Sequence, residues 1–151
     1  MKRLLTSVII TALALCACTF DGIEYLEYAH IDTFGWTKKD TICLPNVKNI
    51  EGTYAQTLRL RFTKTYPYQS IQIIVNNKTG GKSKKRIVTC HLTNKEGDFT
   101  AKGVDYLEYE CNIDTVSIVN GDSLLMSIWH NHKKDSIQGM SEIGVALKKL
   151  R

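Results

Sequence analysis

The most specific chemistry in this chain is carried by four residues near its start, Leu15-Cys16-Ala17-Cys18. A cysteine with Ala immediately before it and Leu three places back is the bacterial lipobox, in which lipid is attached to the Cys18 thiol and cleavage leaves Cys18 as the new N-terminus. Cys16 is the poorer nucleophile, because bulky Leu15 sits where a peptidase pocket takes small side chains. The leader agrees: Lys2 and Arg3 precede an uncharged run from Leu4 to Leu15, the build of a secretory signal. Twelve helical residues rise about 18 Å against a hydrocarbon core of about 30 Å, so a permanent membrane helix is not expected.

The other reactive side chains are less specific. His130 and His132, two apart on a strand, would share a face and could hold zinc or copper. A third ligand would have to come from His30, His91 or Asp135, and Lys133 and Lys134 directly after the pair repel a cation. The pair is read as a strand end running into a polar loop, and no metal or cofactor is expected. Glu108 and Glu110 also share a strand face, a spacing that glycoside hydrolysis uses, but outward residues on a solvated face explain them as well. Once Cys18 carries lipid, Cys43, Cys90 and Cys111 remain, an odd number in an oxidising compartment. One disulfide with a leftover thiol, or none, is open. A catalytic cysteine would want a nearby histidine together with a helix N-terminus to lower its pKa; the sequence offers no such local arrangement, so no enzyme is expected. Gly81-Lys82-Ser83 looks like the end of a phosphate-cradling loop, but Asn76 stands where that motif needs glycine. The aromatics Phe34, Trp36, Tyr66, Tyr68 and Trp129 suit a ligand groove or core and edge packing, and packing is favoured.

The elements that position these residues read as strands. Leu58, Leu60 and Phe62 alternate with Arg59 and Arg61; Ile71, Ile73 and Val75 repeat the period of two. Tyr66-Pro67-Tyr68 separates these runs as a turn or edge feature. Asn76 to Lys85, with Gly80-Gly81 as its turn, leads to a strand from Arg86 to Leu92. Tyr106 to Ile113 alternates about Leu107, Tyr109, Cys111 and Ile113. Leu124 to Trp129 looks buried on both faces, and Ile143, Val145 and Leu147 mark the last strand. Ile23 to His30 and Thr41 to Leu44 complete the set. Seven or eight strands spaced by turns predict an all-β antiparallel sandwich, jelly-roll or immunoglobulin-like. The expected organisation is a signal peptide over 1–17, a lipidated tether over 18–22 and one β-sandwich domain over 23–151.

Removal of Lys2 and Arg3 with the leader takes the formal charge from +5 to +3. The remaining excess is concentrated at Lys78, Lys82, Lys84, Lys85 and Arg86, and at Lys133, Lys134, Lys148, Lys149 and Arg151. Neither cluster is interleaved with aromatics as a nucleic-acid platform would be, so no nucleic-acid partner is expected. Hairpin tips and a charged tail account for both clusters; a contact to anionic head groups is the sharper reading. Thr19-Phe20-Asp21-Gly22 lacks the acidic block of a surface-export tag, which favours an anchor facing the periplasm.

Several spaced features together resemble the gliding motility lipoprotein GldH family of Bacteroidetes. They are Cys18, Phe34-Gly35-Trp36 with Asp40 behind it, Leu58-Arg59-Leu60-Arg61 followed by Tyr66-Pro67-Tyr68, Leu92 to Phe99 with Gly103 after it, and Gly139 to Val145. The chain departs from the family pattern at Phe99, where Trp is usual, at Met140, where Ile is expected, and over His130 to Lys134, which replaces a Met-Arg pair. What the resemblance implies is a non-enzymatic envelope lipoprotein supporting the gliding apparatus and its associated secretion machinery, with no catalytic residues to carry over. Its partners would be the bilayer, through Cys18, and other envelope proteins, met through Trp36, Tyr66, Pro67 and Tyr68. A carbohydrate- or metal-binding envelope module is the alternative.

Overall fold

The computed structural model describes residues 22–150; the leader, Cys18 and most of the expected tether lie outside them. Ten strands form: β1 (Ile23–His30), β2 (Trp36–Thr37), β3 (Ile42–Cys43), β4 (Gly52–Thr63), β5 (Ser70–Thr79), β6 (Lys82–His91), β7 (Tyr106–Ile118), β8 (Leu125–His130), β9 (Ser136–Ile137) and β10 (Met140–Lys149). The excess over the expected seven or eight lies in β2 and β9, two-residue strands that pair only with each other. The rest build two four-stranded sheets, β1-β10-β4-β7 and β3-β8-β5-β6, antiparallel throughout. Successive principal strands switch sheets at every connection except the β5–β6 hairpin. That order is the jelly roll, which decides between the two sandwich types expected.

The period of two produces the core directly. Tyr54, Leu58, Leu60 and Phe62 of β4 and Ile143, Val145 and Leu147 of β10 are all 0% exposed, and Ile71, Ile73 and Val75 of β5 face them from the other sheet. Burying one such side chain contributes about 1.5–3 kcal/mol.

Three expectations about elements change. The stretch Asn76 to Lys85 is no long connection: β5 and β6 pair down to Thr79 and Lys82, leaving only Gly80-Gly81 as the loop. Their φ values of 53° and 75° suit a two-residue turn with both central residues left-handed. β7 runs beyond Ile113 to Ile118. Gln56 and Thr57 of β4 pair with Asp114 and Asn112, so Ile113 is a bulge residue, and the alternation changes phase to bury Val116 and Ile118. β8 is buried on one face only, since Leu125 is exposed and Ser127 and Trp129 are half-exposed.

The sandwich has two distinct ends. The start of β1, the end of β10, the β5–β6 hairpin and the β7–β8 loop gather at one. Lys149 N–H donates to the Gly22 carbonyl there, and Gly80 abuts the Asp122 carboxylate. The loops after β1, β4, β6 and β8 gather at the opposite end.

Candidate functional site

At the end away from the start of β1, aromatic rings form a continuous row. Phe99 meets Phe62 with ring centroids 5.3 Å apart, Phe62 meets Tyr66 at 5.5 Å, Tyr66 meets Tyr68 at 5.5 Å, and Tyr68 meets His132 at 4.3 Å. The His132 backbone N–H donates to His130 Nδ1 at 3.3 Å, and the His130 ring packs edge-on against Trp36 at 5.1 Å. Trp36, Tyr66, Pro67, Tyr68, His130 and His132 thus belong to one neighbourhood, drawn from three loops by the crossover connections.

Their roles differ from those expected. Trp36 is 1% exposed, with its indole N–H donating to the Asp40 carbonyl at 3.0 Å; Tyr66 is 3% exposed, and burial raises its hydroxyl pKa. Both are core residues, so neither offers a docking surface. Pro67 is exposed and Tyr68 half-buried, with Lys134 Nζ 5.8 Å from the Tyr68 ring centroid. That pair is what the motif shows to solvent.

The histidines do not form a two-ligand strand face. β8 ends at His130, which is 0% exposed, and the chain turns there into the loop bearing His132. Because His130 Nδ1 accepts the His132 amide hydrogen, its proton sits on Nε2, which donates to the Trp36 carbonyl at 3.2 Å. Both ring nitrogens are committed, leaving no lone pair for a metal. Burial lowers the His130 pKa, with smaller contributions in the same direction from His132 and Lys38, and outweighs the hydrogen bond to Trp36, which raises it. His132 is lowered too, by partial burial and by Lys134, Lys38 and Lys133. Among the described residues no three His, Cys, Asp or Glu side chains are grouped to hold a cation.

The carboxylates Glu108 and Glu110 lie on the outer face of the β1-β10-β4-β7 sheet in an ion-pair ladder that crosses it. Arg61 donates from Nε to Glu108 and from Nη1 to Glu142, both at 2.8 Å, and its guanidinium lies 4.0 Å from the Tyr28 ring centroid. Arg59 pairs with Glu110 at 2.8 Å, and the Tyr28 hydroxyl donates to Glu108 at 3.1 Å. Burial alone would raise the Glu108 pKa, but the hydrogen bonds from Arg61 and Tyr28 and the charges of both arginines outweigh it and lower it. A glycosidase general acid needs the opposite shift. The alternation of Arg59 and Arg61 in the sequence, set against Glu108 and Glu110, was the available signal for this ladder.

The basic clusters also find places. Lys78, Lys82, Lys84 and Lys85 are exposed on the β5–β6 hairpin, and Lys148 and Lys149 are exposed at the end of β10. All lie toward the end of the sandwich where the chain enters β1. Asp114 binds Lys84 at 2.8 Å and also Arg86, and Lys149 approaches Glu24 at 3.8 Å. Lys133 and Lys134 sit at the far, aromatic end.

These features define a jelly-roll domain with a basic end at its chain entry and a packed aromatic end opposite. The chain belongs to the GldH lipoprotein family, which matches residues 24–147. It is, by that membership, a membrane-anchored envelope lipoprotein. Among solved structures it is similar to Eiger TNF from S. frugiperda, at 12% identity and a TM-score of 0.31, with 70% of this chain and 63% of that chain covered. The chain therefore spans under two thirds of that structure's length. No curated protein matches.

Proposed function

We propose that this lipoprotein works by contact and not by turnover, as a non-enzymatic component of, or accessory to, the gliding motility machinery and its associated secretion system. Lipid on Cys18 holds it to the envelope, facing the periplasm, with the basic end against the head groups and the aromatic end toward protein partners. One observation carries the reading. The chain enters β1 at the end where the hairpin lysines gather, while Trp36, Tyr66-Pro67-Tyr68, the Asn94 to Phe99 turn and Gly139-Met140 gather at the other. Residues 18–22 span at most about 18 Å when extended, so a lipid on Cys18 keeps the basic end close to the bilayer.

The experiment is site-specific photocrosslinking in intact envelopes. A crosslinker at Tyr68 or Val104 should yield protein adducts, and one at Lys82 should yield lipid adducts. The same pattern from both ends would overturn the orientation. Partition of the native protein into the aqueous phase of a Triton X-114 extraction would overturn the lipid anchor.

A further inference from the structure

The two sheets meet along an open side where β6, an edge strand of one sheet, faces β7, an edge strand of the other. Few groups tie this side together. Asp114 of β7 binds Lys84 and Arg86 of β6, and near the middle Cys90 Sγ lies 3.1 Å from Cys111 Sγ. Cys90 is 0% exposed, while Cys111 is half-exposed. Two sulfurs this close need only a small movement of their side chains to bond, and no other cysteine of the described residues is paired with either.

We propose that Cys90 and Cys111 form a disulfide that staples β6 to β7 and closes the sandwich, leaving Cys43 as an exposed thiol. The oxidant is a protein disulfide of a periplasmic thiol oxidoreductase. The export inherent in the envelope-lipoprotein reading supplies that oxidant, but the sulfur geometry is independent of it.

The chemistry proceeds in a defined order. Cys111 is the sulfur that solvent reaches, whereas Cys90 is buried, so Cys111 is the one that an oxidoreductase meets first. The Cys111 thiolate attacks one sulfur of the oxidoreductase disulfide, breaking that S–S bond and releasing the other sulfur as a thiolate. Cys90 then gives its proton to water and attacks the Cys111 sulfur of the mixed disulfide, releasing the second thiolate. Two thiols of this chain lose two electrons and two protons, and the oxidoreductase disulfide is reduced to a dithiol.

The odd number left after Cys18 is thereby accounted for: Cys90 and Cys111 for the staple, and Cys43 exposed. The disulfide would add a covalent tie to an edge otherwise joined by the ion pairs of Asp114. The bond closes a loop containing the 14-residue β6–β7 connection, residues 92–105, and removes closure entropy from the unfolded chain.

Two preparations test it. Full-length protein extracted from envelopes in detergent is alkylated without reduction, digested with trypsin and weighed. The expected product is the peptide of residues 87–95 joined to that of residues 103–133, about 2 Da lighter than the two apart, with Cys43 alkylated. In parallel, purified reduced protein is exposed to oxidised glutathione as the probe. It should lose about 2 Da without a glutathione adduct on Cys90 or Cys111, and its Tm should rise on the order of 5–10 °C. The Cys111→Ser variant should show neither change. Failure of the glutathione reaction would overturn the geometry. Thiols on both residues in envelope protein, despite success in vitro, would overturn the staple in the cell and point to the compartment instead. Cys18 acylation, read from the N-terminal peptide, is scored separately and is unaffected by either result.

Discussion

Gln56 of β4 and Asn77 of β5 exchange side-chain hydrogen bonds across the two sheets. The Gln56 amide donates to Asn77 Oδ1 at 3.0 Å and the Asn77 amide donates to Gln56 Oε1 at 2.7 Å, with the residues 1% and 5% exposed. With His130, these two are the polar side chains buried in a largely apolar interior. Replacing Gln56 or Asn77 alone with Leu strands the other amide in the core, at a cost of about 1–3 kcal/mol. Replacing both leaves no orphan, so the double variant should lose much less than the two single losses combined. Urea denaturation of the four proteins gives the coupling energy, and additive losses would refute the pairing.

Gly144 of β10 lies beneath the Tyr28 ring. A Cβ there would stand 2.6 Å from Tyr28 Cδ1 and 2.7 Å from the Glu27 carbonyl oxygen. The ring can shift, but the carbonyl belongs to the β1–β10 ladder. Gly144→Ala should destabilise the domain by about 1–3 kcal/mol, as overpacking does. Arg61→Ala removes two ion pairs whose members are about one third exposed, and solvent screening limits that loss to about 1 kcal/mol or less. Thermal denaturation orders the two variants. A larger loss for Arg61→Ala would show that the ladder, and not close strand packing, holds this face.

How much of this was legible beforehand follows from the physics of each residue. Leu58, Leu60, Phe62, Ile143, Val145 and Leu147 announced their strands because apolar side chains alternate with polar ones. Asn77 hid the end of β5, since a polar residue pointing inward breaks that pattern, and only its pairing with Gln56 makes it tolerable. Ile113 hid the end of β7, because a bulge reverses the phase that a period of two relies on. The site residues were recognised as types but not as neighbours. Nothing local in His130 or Trp36 says that a jelly-roll crossover brings them together, and nothing in Tyr66 says that its ring points inward from a turn. The closeness of Cys90 and Cys111 depends likewise on which strands end up at the same edge.

His130 makes the domain's stability depend on pH. Burial depresses its folded pKa below the unfolded value, so the unfolded chain binds the proton first as the medium turns acidic. The stability it supports is complete above about pH 6.5 and is lost as pH falls toward the depressed folded pKa. His132, lowered in the same direction, adds to the slope. Chemical denaturation from pH 8 to pH 5 should show stability falling through this window. His130→Asn should flatten the dependence while lowering stability at pH 8, because the bonds to Trp36 and His132 are disturbed. An unchanged slope in that variant would assign the pH dependence to other groups.

The basic end makes a prediction that separates adhesion of the domain from anchoring by lipid. Without the acyl chains, the domain should still bind vesicles containing anionic phospholipid, weakly and through Lys82, Lys85 and Lys148, all exposed at the end where the chain enters β1. A lysine near such a surface contributes about 1 kcal/mol, roughly fivefold in partitioning. Each Lys→Ala change should therefore weaken binding of a Cys18→Ser form by about that factor. Lys95 and Lys133 are equally exposed but lie in loops at the aromatic end, and their replacement should leave binding unchanged. Salt should abolish the interaction, since a Debye length near 8 Å at physiological ionic strength shrinks to about 3 Å at 1 M. Vesicle co-sedimentation across these variants and salts measures it. Equal loss from both sets of lysines would mean that net charge alone draws the protein to the surface, and the orientation argued from the path of the chain would fall with it.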